Sequence, residues 1–245
     1  MERLIQRILQ RLLGFDRYLF WFSRFKIATL RWDRNEGAVI HFIGGLPRDG
    51  VVLDIGANIG IMTVLLARHA DRGVVHAFEP IPDNFRALTR IVSHYRLDNV
   101  VLHQLALGEE DGELRMVMPE QEHVRMQGLS HAVTVGSDDD GKFYTVPQVR
   151  LDDVEALADA DVVGIKIDVE NFEQFVFRGG LGLLERSRPP VYTELGSDAN
   201  RDVCFELFRG LGYSVDVLDG DRVVPYEPAR HDVHNYFMTP PTGTP

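Results

Sequence analysis

The sequence predicts an α/β fold in which a doubly wound, mostly parallel sheet carries helices on both of its faces. Apolar runs of strand length alternate with stretches of helical periodicity over residues 50–240. The first of these runs ends in an acid and a glycine-containing turn, which is typical of a strand that passes directly into a helix. The 245 residues, of which 44% are hydrophobic, suffice for one sizeable domain with a buried core.

The candidate elements follow the order that such a fold requires. The strand candidates are 51–55, 74–78, 100–104, 162–167, 190–194, 213–218 and 234–238. The helix candidates are 60–69, 82–94, 172–185 and 200–211. The last strand candidate is short, and we expect it to enter the sheet in the antiparallel direction.

The alternating region predicts a ligand-binding domain over residues 49–240. An N-terminal extension, residues 1–48, precedes this domain. Residues 2–13 predict an amphipathic helix, with a basic stripe of arginines at positions 3, 7 and 11, and an aromatic cluster follows from Tyr18 to Phe25. Three interpretations stay open for this extension. It caps the core or contacts a second copy of the chain, it lies on a membrane surface, or it forms a lid over a substrate.

Residues 111–148 interrupt the alternation just before the fourth strand candidate. They lack helical periodicity, contain several glycines and include two short β-type segments, 113–118 and 143–149. We expect this insertion to face the substrate, because loops that a rigid scaffold positions often carry specificity. A surface excursion without function is the alternative. The acidic run 137–140 predicts a solvated turn without calcium-ligand spacing, and 241–245 a frayed tail.

Charge and composition narrow the choice of partners and location. The net charge is −11, which disfavours nucleic acid as a partner, although residues 1–34 hold eight Lys/Arg against three Asp/Glu and thus carry +5. The only cysteine, Cys204, falls in a helical pattern and predicts a buried, inert thiol. No apolar run is long enough for a transmembrane helix, and the N-terminus does not resemble a signal peptide. These features predict a cytoplasmic protein and leave peripheral membrane contact open.

The most informative segment is the turn after the first strand candidate, Asp54-Ile-Gly-Ala-Asn-Ile-Gly60. Its glycines let the backbone approach a ligand closely, and the first N–H groups of the following helix point at that ligand. The second strand candidate ends in Glu79, where an acid is placed to accept hydrogen bonds from ribose hydroxyls. Together the two features predict a nucleoside-bearing cofactor at the carboxyl ends of these strands.

The glycine spacing favours S-adenosylmethionine over a dinucleotide. A dinucleotide site requires G-x-G-x-x-G, whereas Ala57 and Asn58 follow Gly56 here, so the middle glycine is missing. We expect Asp54 to face the same crevice, where its carboxylate would repel a pyrophosphate but suits the ammonium group of S-adenosylmethionine. A nicotinamide-dependent oxidoreductase and an ordinary strand–helix turn without a ligand are the alternatives.

A second group of charged residues surrounds the fourth strand candidate. Lys166 and Asp168 share one side of this strand, and Glu170 and Glu173 follow in the next turn and helix. Glu194 ends the next strand, so these acids should lie along one edge of the sheet. The functional interpretation makes them orient an acceptor hydroxyl. In the structural alternative, Lys166 neutralises one acid and the glutamates begin a helix.

A reaction at a hydroxyl needs a group that removes its proton, and several candidates are available. The catalytic candidates are Asp168, Glu170 and Glu194, with His131, His231 and His234 as further proton acceptors. A Mg²⁺ ion at the carboxylates is open, but no His/Cys ligand spacing supports it, and we assign no metal residue.

Several blocks of the sequence, in this order, resemble the signature blocks of FkbM-type S-adenosylmethionine-dependent methyltransferases. These are residues 52–60, 77–80, 106–108, 165–170 and 210–213. The resemblance covers residues 50–215 and implies the seven-stranded fold of class I methyltransferases. It also implies O-methylation of a hydroxyl in a sugar, glycan, lipid-linked saccharide or polyketide-type natural product.

Carried over residue by residue, the resemblance implies a binding site for S-adenosylmethionine. The residues concerned are Asp54, Gly56, Ala57, Asn58 and Gly60 around the methionine part, Glu79 at the ribose, Pro80, Ile81 and Asn84 beside the adenosine, and Leu105 and Ala106 at the adenine. Asp168 and Glu170 would face the methyl-transfer centre. Where the family usually has glycine after the second acid, this chain has Asn171, which tolerates a left-handed backbone better than most residues.

A protein of another class would fit part of the same pattern. A cofactor-binding scaffold with this fold and no catalysis would dock on a membrane, or on a partner, through its basic N-terminal helix. Contact through residues 1–34 with a membrane surface or with a second copy of the chain is therefore an open expectation.

Overall fold

The computed structural model describes residues 2–121, 124–133 and 140–241. Its helices are α1 (Glu2–Leu13), α2 (Phe15–Thr29), α3 (Gly37–Gly45), α4 (Ile61–His69), α5 (Pro82–Tyr95), α6 (Glu173–Arg178), α7 (Leu181–Ser187) and α8 (Ala199–Gly210). Its strands are β1 (Val51–Ile55), β2 (Val74–Phe78), β3 (Val100–His103), β4 (Ala106–Gly108), β5 (Gly112–Gln121), β6 (Val124–Arg125), β7 (His131–Ala132), β8 (Gly141–Arg150), β9 (Val162–Ile167), β10 (Val191–Glu194), β11 (Ser214–Asp219), β12 (Arg222–Pro225) and β13 (Asn235–Thr239).

The main sheet has the strand order β12-β11-β13-β10-β9-β1-β2-β3. The strands from β10 to β3 are parallel, and β13 runs antiparallel between β10 and β11, which confirms the predicted antiparallel insertion of the final strand. The prediction of seven strands was wrong by one, because β12 adds an eighth. A two-residue turn with Gly220 at a φ of 66° folds β12 back on β11. β12 itself has only four residues, which is too short to show a strand pattern of its own in the sequence.

Helices cover both faces of this sheet, as the doubly wound prediction requires. Leu53 and Ile165 point to the face that packs against α6, α7 and α8. Val52 and Val75 point to the opposite face, against α3 and α4. The strands are apolar on both faces because neither face is left to solvent.

The helix predicted over residues 172–185 is wrong as a single element, since the chain forms α6 and α7 with a break at Gly179 and Gly180. A β-carbon at Gly179 would lie 1.9 Å from the carbonyl oxygen of Gly108, and one at Gly180 would lie 2.6 Å from the Leu151 side chain. The break therefore lets the chain pass directly against β4, a tertiary contact that helical periodicity does not reveal.

The insertion before the fourth main-sheet strand forms a second sheet with the strand order β4-β8-β5-β6, in which β7 also pairs with β5. Asp83 of α5 ties this sheet to the main one, because its Oδ2 accepts hydrogen bonds from Tyr144 Oη at 2.5 Å and Lys142 Nζ at 2.9 Å. Of the acidic run expected to form a turn, residues 137–139 lie outside the described residues, as do residues 242–245 of the expected tail.

The N-terminal extension consists of α1, α2 and α3. Tyr18 and Leu19 of α2 are buried against Ile59 and Ala87, and Ser23 Oγ donates a hydrogen bond of 2.9 Å to the Ile59 carbonyl. This contact fixes α2 directly over the turn that follows β1. No helix in the described part of the chain is long and apolar enough to cross a membrane.

Candidate active site

The turn after β1 depends on two glycines with left-handed backbones. Gly56 and Gly60 have φ angles of 76° and 85°. A β-carbon at Gly56 would lie 1.9 Å from the carbonyl oxygen of Asp168, so only glycine lets this turn pack against the end of β9. The glycine spacing thus brings the first sequence motif into contact with the second.

Glu79 lies beside this turn with its carboxylate buried. Its Oε2 accepts a hydrogen bond of 2.8 Å from the Asn58 amide, and its Oε1 accepts one of 2.8 Å from the Ile81 amide and one of 3.4 Å from Asn84 Nδ2. Burial raises the pKa of Glu79 to about 7, although these hydrogen bonds oppose the shift. A carboxylate oxygen has two lone pairs, so Oε2 keeps one for a ligand hydroxyl.

The expectation that Asp54 faces the crevice is not met. Asp54 is fully buried, and its Oδ2 accepts a hydrogen bond of 2.6 Å from Thr63 Oγ1. Its Oδ1 lies 3.4 Å from Lys166 Nζ, which donates a hydrogen bond of 3.1 Å to the Gly56 carbonyl. Asp54 therefore supports the turn from below, through Lys166 and α4, because the side chain of this strand end points into the sheet–helix interface.

Burial alone would lower the pKa of Lys166, but the nearby carboxylates of Asp54 and Asp168 raise it above its ordinary value. The structural interpretation, in which Lys166 neutralises an acid, is thus correct for Asp54. Lys166 also lines a cavity of about 250 Å³ together with Asp168 and Glu194, so a functional role for this group of charged residues is compatible with the ion pair.

Three adjoining cavities form one cleft along the carboxyl ends of the main-sheet strands, and Gly56 lines all three. The first is an apolar slot whose walls include Phe78, Leu105, Ala106 and Met116. The second contains Glu79 and the predicted residues Pro80, Ile81 and Asn84. The third, of about 250 Å³, contains Ala57, Asn58, Asp168 and Glu194. Apart from Asp54 and Gly60, which support the turn, the predicted cofactor residues all line this cleft.

The three predicted catalytic carboxylates line the cleft, where Asp168 and Glu194 share the third cavity and Asp168 and Glu170 share the second. Burial raises the pKa of Glu170 to about 7, and the charges of Asp168 and Glu194 add to this shift. Desolvation in the cleft also raises the pKa of Glu194, with further contributions from Asp168 and Glu36. Mutual repulsion of this kind identifies carboxylates that share one small space.

The backbone that carries Glu170 is strained. Glu170 and Asn171 have φ angles of 52° and 68°, so the prediction of a left-handed asparagine is confirmed, and Glu170 adopts the same conformation. Glu173 braces this loop, since its Oε1 accepts a hydrogen bond of 3.1 Å from the Val169 amide and its Oε2 one of 2.7 Å from Asn200 Nδ2. Glu173 is thus a positioning residue and does not only begin α6.

Of the three predicted histidines, two lie near the catalytic carboxylates and one does not. His131 and His234 lie close enough to Glu170 and Glu194, respectively, to oppose the upward shift of each pKa, which stays raised overall. His231 instead accepts a hydrogen bond of 3.0 Å from the Glu227 amide through Nδ1, in a turn near the C-terminus. Cys204 is buried, as predicted, and burial raises the pKa of its thiol.

Sequence reasoning missed several residues of the 250 Å³ cavity. The N-terminal extension contributes Phe22, Lys26 and Glu36, and the main sheet and the insertion contribute Tyr192 and Gln127. The Gln127 carbonyl accepts a hydrogen bond of 3.4 Å from Asn58 Nδ2, so the insertion closes directly on the glycine turn. No local signal marks these residues, because each reaches the cleft through a contact between distant segments.

The residues of the cleft fit a nucleoside ligand. Asn58 Oδ1 and Asn84 Oδ1 are buried acceptors without a hydrogen-bond partner among the described residues, and Asn58 and Asn84 both line the cavity that contains Glu79. Unpaired buried acceptors beside a buried carboxylate suit a ligand that brings several hydroxyl or amine donors. The described residues contain no group of three or more His, Cys, Asp or Glu side chains that could hold a metal ion.

Comparisons with known proteins agree with this arrangement. The curated 31-O-demethyl-FK506 methyltransferase FkbM of Streptomyces tacrolimicus is 34% identical over 154 residues, which are 53% of this chain and 58% of that protein. Methyltransferase 1 of Beauveria bassiana (strain ARSEF 2860) is 32% identical over 74 residues, 30% of each chain. This chain therefore spans about a third to three fifths of the length of these curated relatives.

Among solved structures, a methyltransferase FkbM from Methylobacillus flagellatus KT superposes with a TM-score of 0.50 at 16% identity, over 78% of this chain and 44% of that one, which supports the shared fold. The family profile described as the methyltransferase FkbM domain matches residues 54–215, from the glycine turn through Glu79 and the Asp168–Glu170 pair to β11. Because this match covers well over half of the chain, the protein belongs to the FkbM methyltransferase family.

Proposed function

We propose that the protein transfers a methyl group from S-adenosylmethionine to a hydroxyl of a polyhydroxylated small molecule or glycan. The observation that carries the proposal is the cleft itself, in which a cavity that contains Glu79 adjoins a cavity lined by the carboxylates of Asp168, Glu194 and Glu36. Family membership supports methyl transfer, and the printed name of the Streptomyces tacrolimicus relative supports oxygen as the acceptor atom.

In this proposal the cofactor occupies the cleft from its apolar slot to its largest cavity. Leu105 and Ala106 would contact the adenine, and Glu79 would accept hydrogen bonds from the ribose hydroxyls. Ala57 and Asn58 on the glycine turn would contact the methionine part. When bound, S-adenosylmethionine supplies an electrophilic methyl group on its sulfonium.

The carboxylates that line the cleft would orient the acceptor and remove its proton. A hydroxyl is a weak nucleophile, so a base within hydrogen-bond reach of it should speed the transfer. The hydroxyl proton would pass to a carboxylate as the acceptor oxygen takes the methyl group in place of the sulfur. Glu170 suits this step, because a base with a pKa of about 7 can accept a proton and release it again near neutral pH.

The residues that line the 250 Å³ cavity support this class of acceptor. Asp168, Glu194 and Glu36 accept hydrogen bonds, while Phe22 and Tyr192 offer aromatic surface in the same cavity. Several acceptors beside aromatic rings suit a sugar-like ring with vicinal hydroxyls, whether free, in a glycan, attached to a lipid or part of a polyketide. Glu36 and Phe22 would give the N-terminal extension a direct part in acceptor choice.

The test compares the purified protein with its Asp168→Asn variant. Calorimetric titration with S-adenosylhomocysteine should give micromolar binding to both proteins, and NADH should bind to neither. Methyl transfer from labelled S-adenosylmethionine to a panel of saccharides and polyols should fall by about a hundredfold or more in the variant, because the acceptor would lose a carboxylate that orients it.

The Glu206→Gln change in α8 removes an exposed carboxylate that lies outside the cleft and serves as the matched control. Unchanged turnover in Asp168→Asn would remove Asp168 from the mechanism. Binding of NADH without S-adenosylhomocysteine would overturn the cofactor assignment altogether.

A further inference from the structure

The first two helices of the N-terminal extension expose an unusual amount of apolar surface. In the described part of the chain, seven of the thirteen exposed large hydrophobic side chains lie between residues 8 and 32. Leu12 is 76% exposed, Phe25 62% and Trp21 53%. Exposed apolar groups that cluster in this way mark an interaction surface.

The exposed groups are arranged in stripes along each helix. On α1, Ile8 and Leu12 are one turn apart, as are Leu9 and Leu13, so the four side chains form one apolar strip. On α2, the exposed Trp21 and Phe25 are also one turn apart. We define the N-terminal surface as these six apolar side chains together with the exposed arginines Arg7, Arg11 and Arg17.

Basic groups border this surface. Arg7 and Arg11 line a cleft of about 460 Å³ together with Arg125 of β6, and the other residues of that cleft are Gln10, Phe15 and Glu120. Gln10 docks α1 there, because it exchanges two hydrogen bonds of 3.2 Å with the backbone of Arg125. The exposed guanidinium groups of Arg7 and Arg11 beside an apolar strip suit an anionic headgroup whose acyl chains lie next to it, while Arg125 also pairs with Asp83 at 3.9 Å.

We propose that the N-terminal surface docks the protein on a bilayer that contains anionic phospholipids. Charge complementarity selects this occupant. Residues 1–34 carry +5 while the remaining 211 residues carry −16, so the positive charge is concentrated where the apolar side chains are exposed. A second copy of the chain would bring two such positive segments together, and the like charges would oppose the contact. A bilayer supplies both the negative surface and the apolar interior.

Docking there would bring the membrane close to the candidate active site. Phe22 and Lys26 line the 250 Å³ cavity of the cleft, and Trp21 and Phe25 on the same helix are exposed. A consequence, which rests on the proposed function, is that the acceptor reaches the cleft from the bilayer surface, as a lipid-linked saccharide would.

The test is sedimentation of the full chain with vesicles of phosphatidylcholine alone, and with vesicles that contain about a third phosphatidylglycerol. We expect sedimentation with the second vesicles only, and weaker sedimentation as the salt concentration rises. The double variant Leu12→Glu/Phe25→Glu should lower the partition coefficient at least tenfold, and Arg7→Gln/Arg11→Gln should lower it by about tenfold or more.

Two control variants carry the same changes elsewhere on the surface. Leu181→Glu replaces another exposed apolar side chain, and Arg72→Gln/Arg222→Gln removes two exposed arginines, so both should sediment like the unaltered protein. Titration of every variant with S-adenosylhomocysteine should give unchanged affinity. Because that readout does not depend on vesicles, a failure of docking is distinguishable from a failure of the proposed function.

Three results would overturn the docking proposal. The first is equal sedimentation of the unaltered chain and the Leu12→Glu/Phe25→Glu variant. The second is binding that inorganic phosphate abolishes and that only the arginine variant loses, which would indicate a soluble phosphate site. The third is a dimer in solution that the same apolar substitutions dissociate, because a second copy would then cover the surface.

Discussion

At the scale of single residues, Glu79 combines burial and backbone hydrogen bonds, which shift its pKa in opposite directions. It is buried, which favours the neutral acid, yet it accepts hydrogen bonds from two backbone amides, which favour the carboxylate. Burial prevails and raises the pKa of Glu79 to about 7. The group is therefore poised to change its charge when a ligand supplies further donors.

Glu79 predicts that cofactor affinity depends on pH. Ribose hydroxyls would favour the ionised carboxylate, so the affinity for S-adenosylhomocysteine should rise about tenfold between about pH 6 and about pH 8. Calorimetry in buffers of different ionisation enthalpy should also detect the release of a proton on binding near neutral pH. The Glu79→Gln variant should bind weakly with no such pH dependence, whereas Glu185→Gln, an exposed change on α7, should behave like the unaltered protein. An affinity that stays constant over this range would contradict the role given to Glu79.

Single residues also show where sequence reasoning succeeded and where it did not. The left-handed backbone at Asn171 was predictable, because few residues other than glycine tolerate that conformation. The burial of Asp54 was not, because the end of a strand does not reveal whether its last side chain meets the cleft or the helix beneath it. The orientation of Asp54 is decided by its contacts with Lys166 and Thr63, and these two residues lie on other elements, β9 and α4.

At the scale of elements, the passage from β1 through its turn into α4 agrees with the prediction within one residue. Its signals are local, namely an apolar run, two glycines and a helical period. The division of the predicted helix 172–185 into α6 and α7 has no comparable local signal. Two adjacent glycines mark it, but their meaning depends on the approach of β4.

The junction between α6 and α7 predicts a large effect from a small substitution. In Gly179→Ala, the new methyl group would lie 1.9 Å from the Gly108 carbonyl oxygen, so β4 or the junction must move. We expect the free energy of unfolding to fall by about 1–3 kcal/mol, as for other overpacked sites. Urea denaturation with unchanged m-values measures this.

Gly210→Ala, at the end of α8, is the matched control because a β-carbon there meets nothing within 4 Å. It should leave stability unchanged or raise it by up to about 1 kcal/mol. If Gly179→Ala were as stable as Gly210→Ala, the close contact between β4 and the junction would not exist in solution.

At the scale of the whole molecule, the cleft concentrates carboxyls whose charge the fold disfavours. Burial raises the pKa of Glu79 and Glu170 to about 7, and it raises the pKa of Glu173. The folded protein therefore binds more protons than the unfolded chain between the ordinary carboxyl pKa and about 7, and stability falls as pH rises through this range. His103 acts in the opposite direction, since burial lowers its pKa to about 4, so its contribution rises with pH and is complete only about one unit above the ordinary histidine value.

These opposing contributions predict a decline in stability on the alkaline side of pH 6.5. Between about pH 6.5 and about pH 8 the raised carboxyls lose more stability than the buried histidines still gain, so the free energy of unfolding should fall by on the order of 1 kcal/mol. Urea denaturation at several pH values measures the decline, and Glu170→Gln should make it shallower. A free energy of unfolding that rises over this interval would show that these carboxyls are ionised without cost in the folded protein.

The sequence by itself determined the order and type of the main elements, the glycine turn with its acid partner at Glu79, and the family. It could do so because apolar periodicity, glycine backbones and short motifs are local properties of the chain. Only the tertiary structure decided that the insertion forms a second sheet, that Asp54 supports the turn from below, and that the N-terminal extension contributes Phe22, Lys26 and Glu36 to the cavity that holds Asp168 and Glu194. Those facts depend on contacts between segments far apart in the chain, and such contacts arise from packing that no local pattern records.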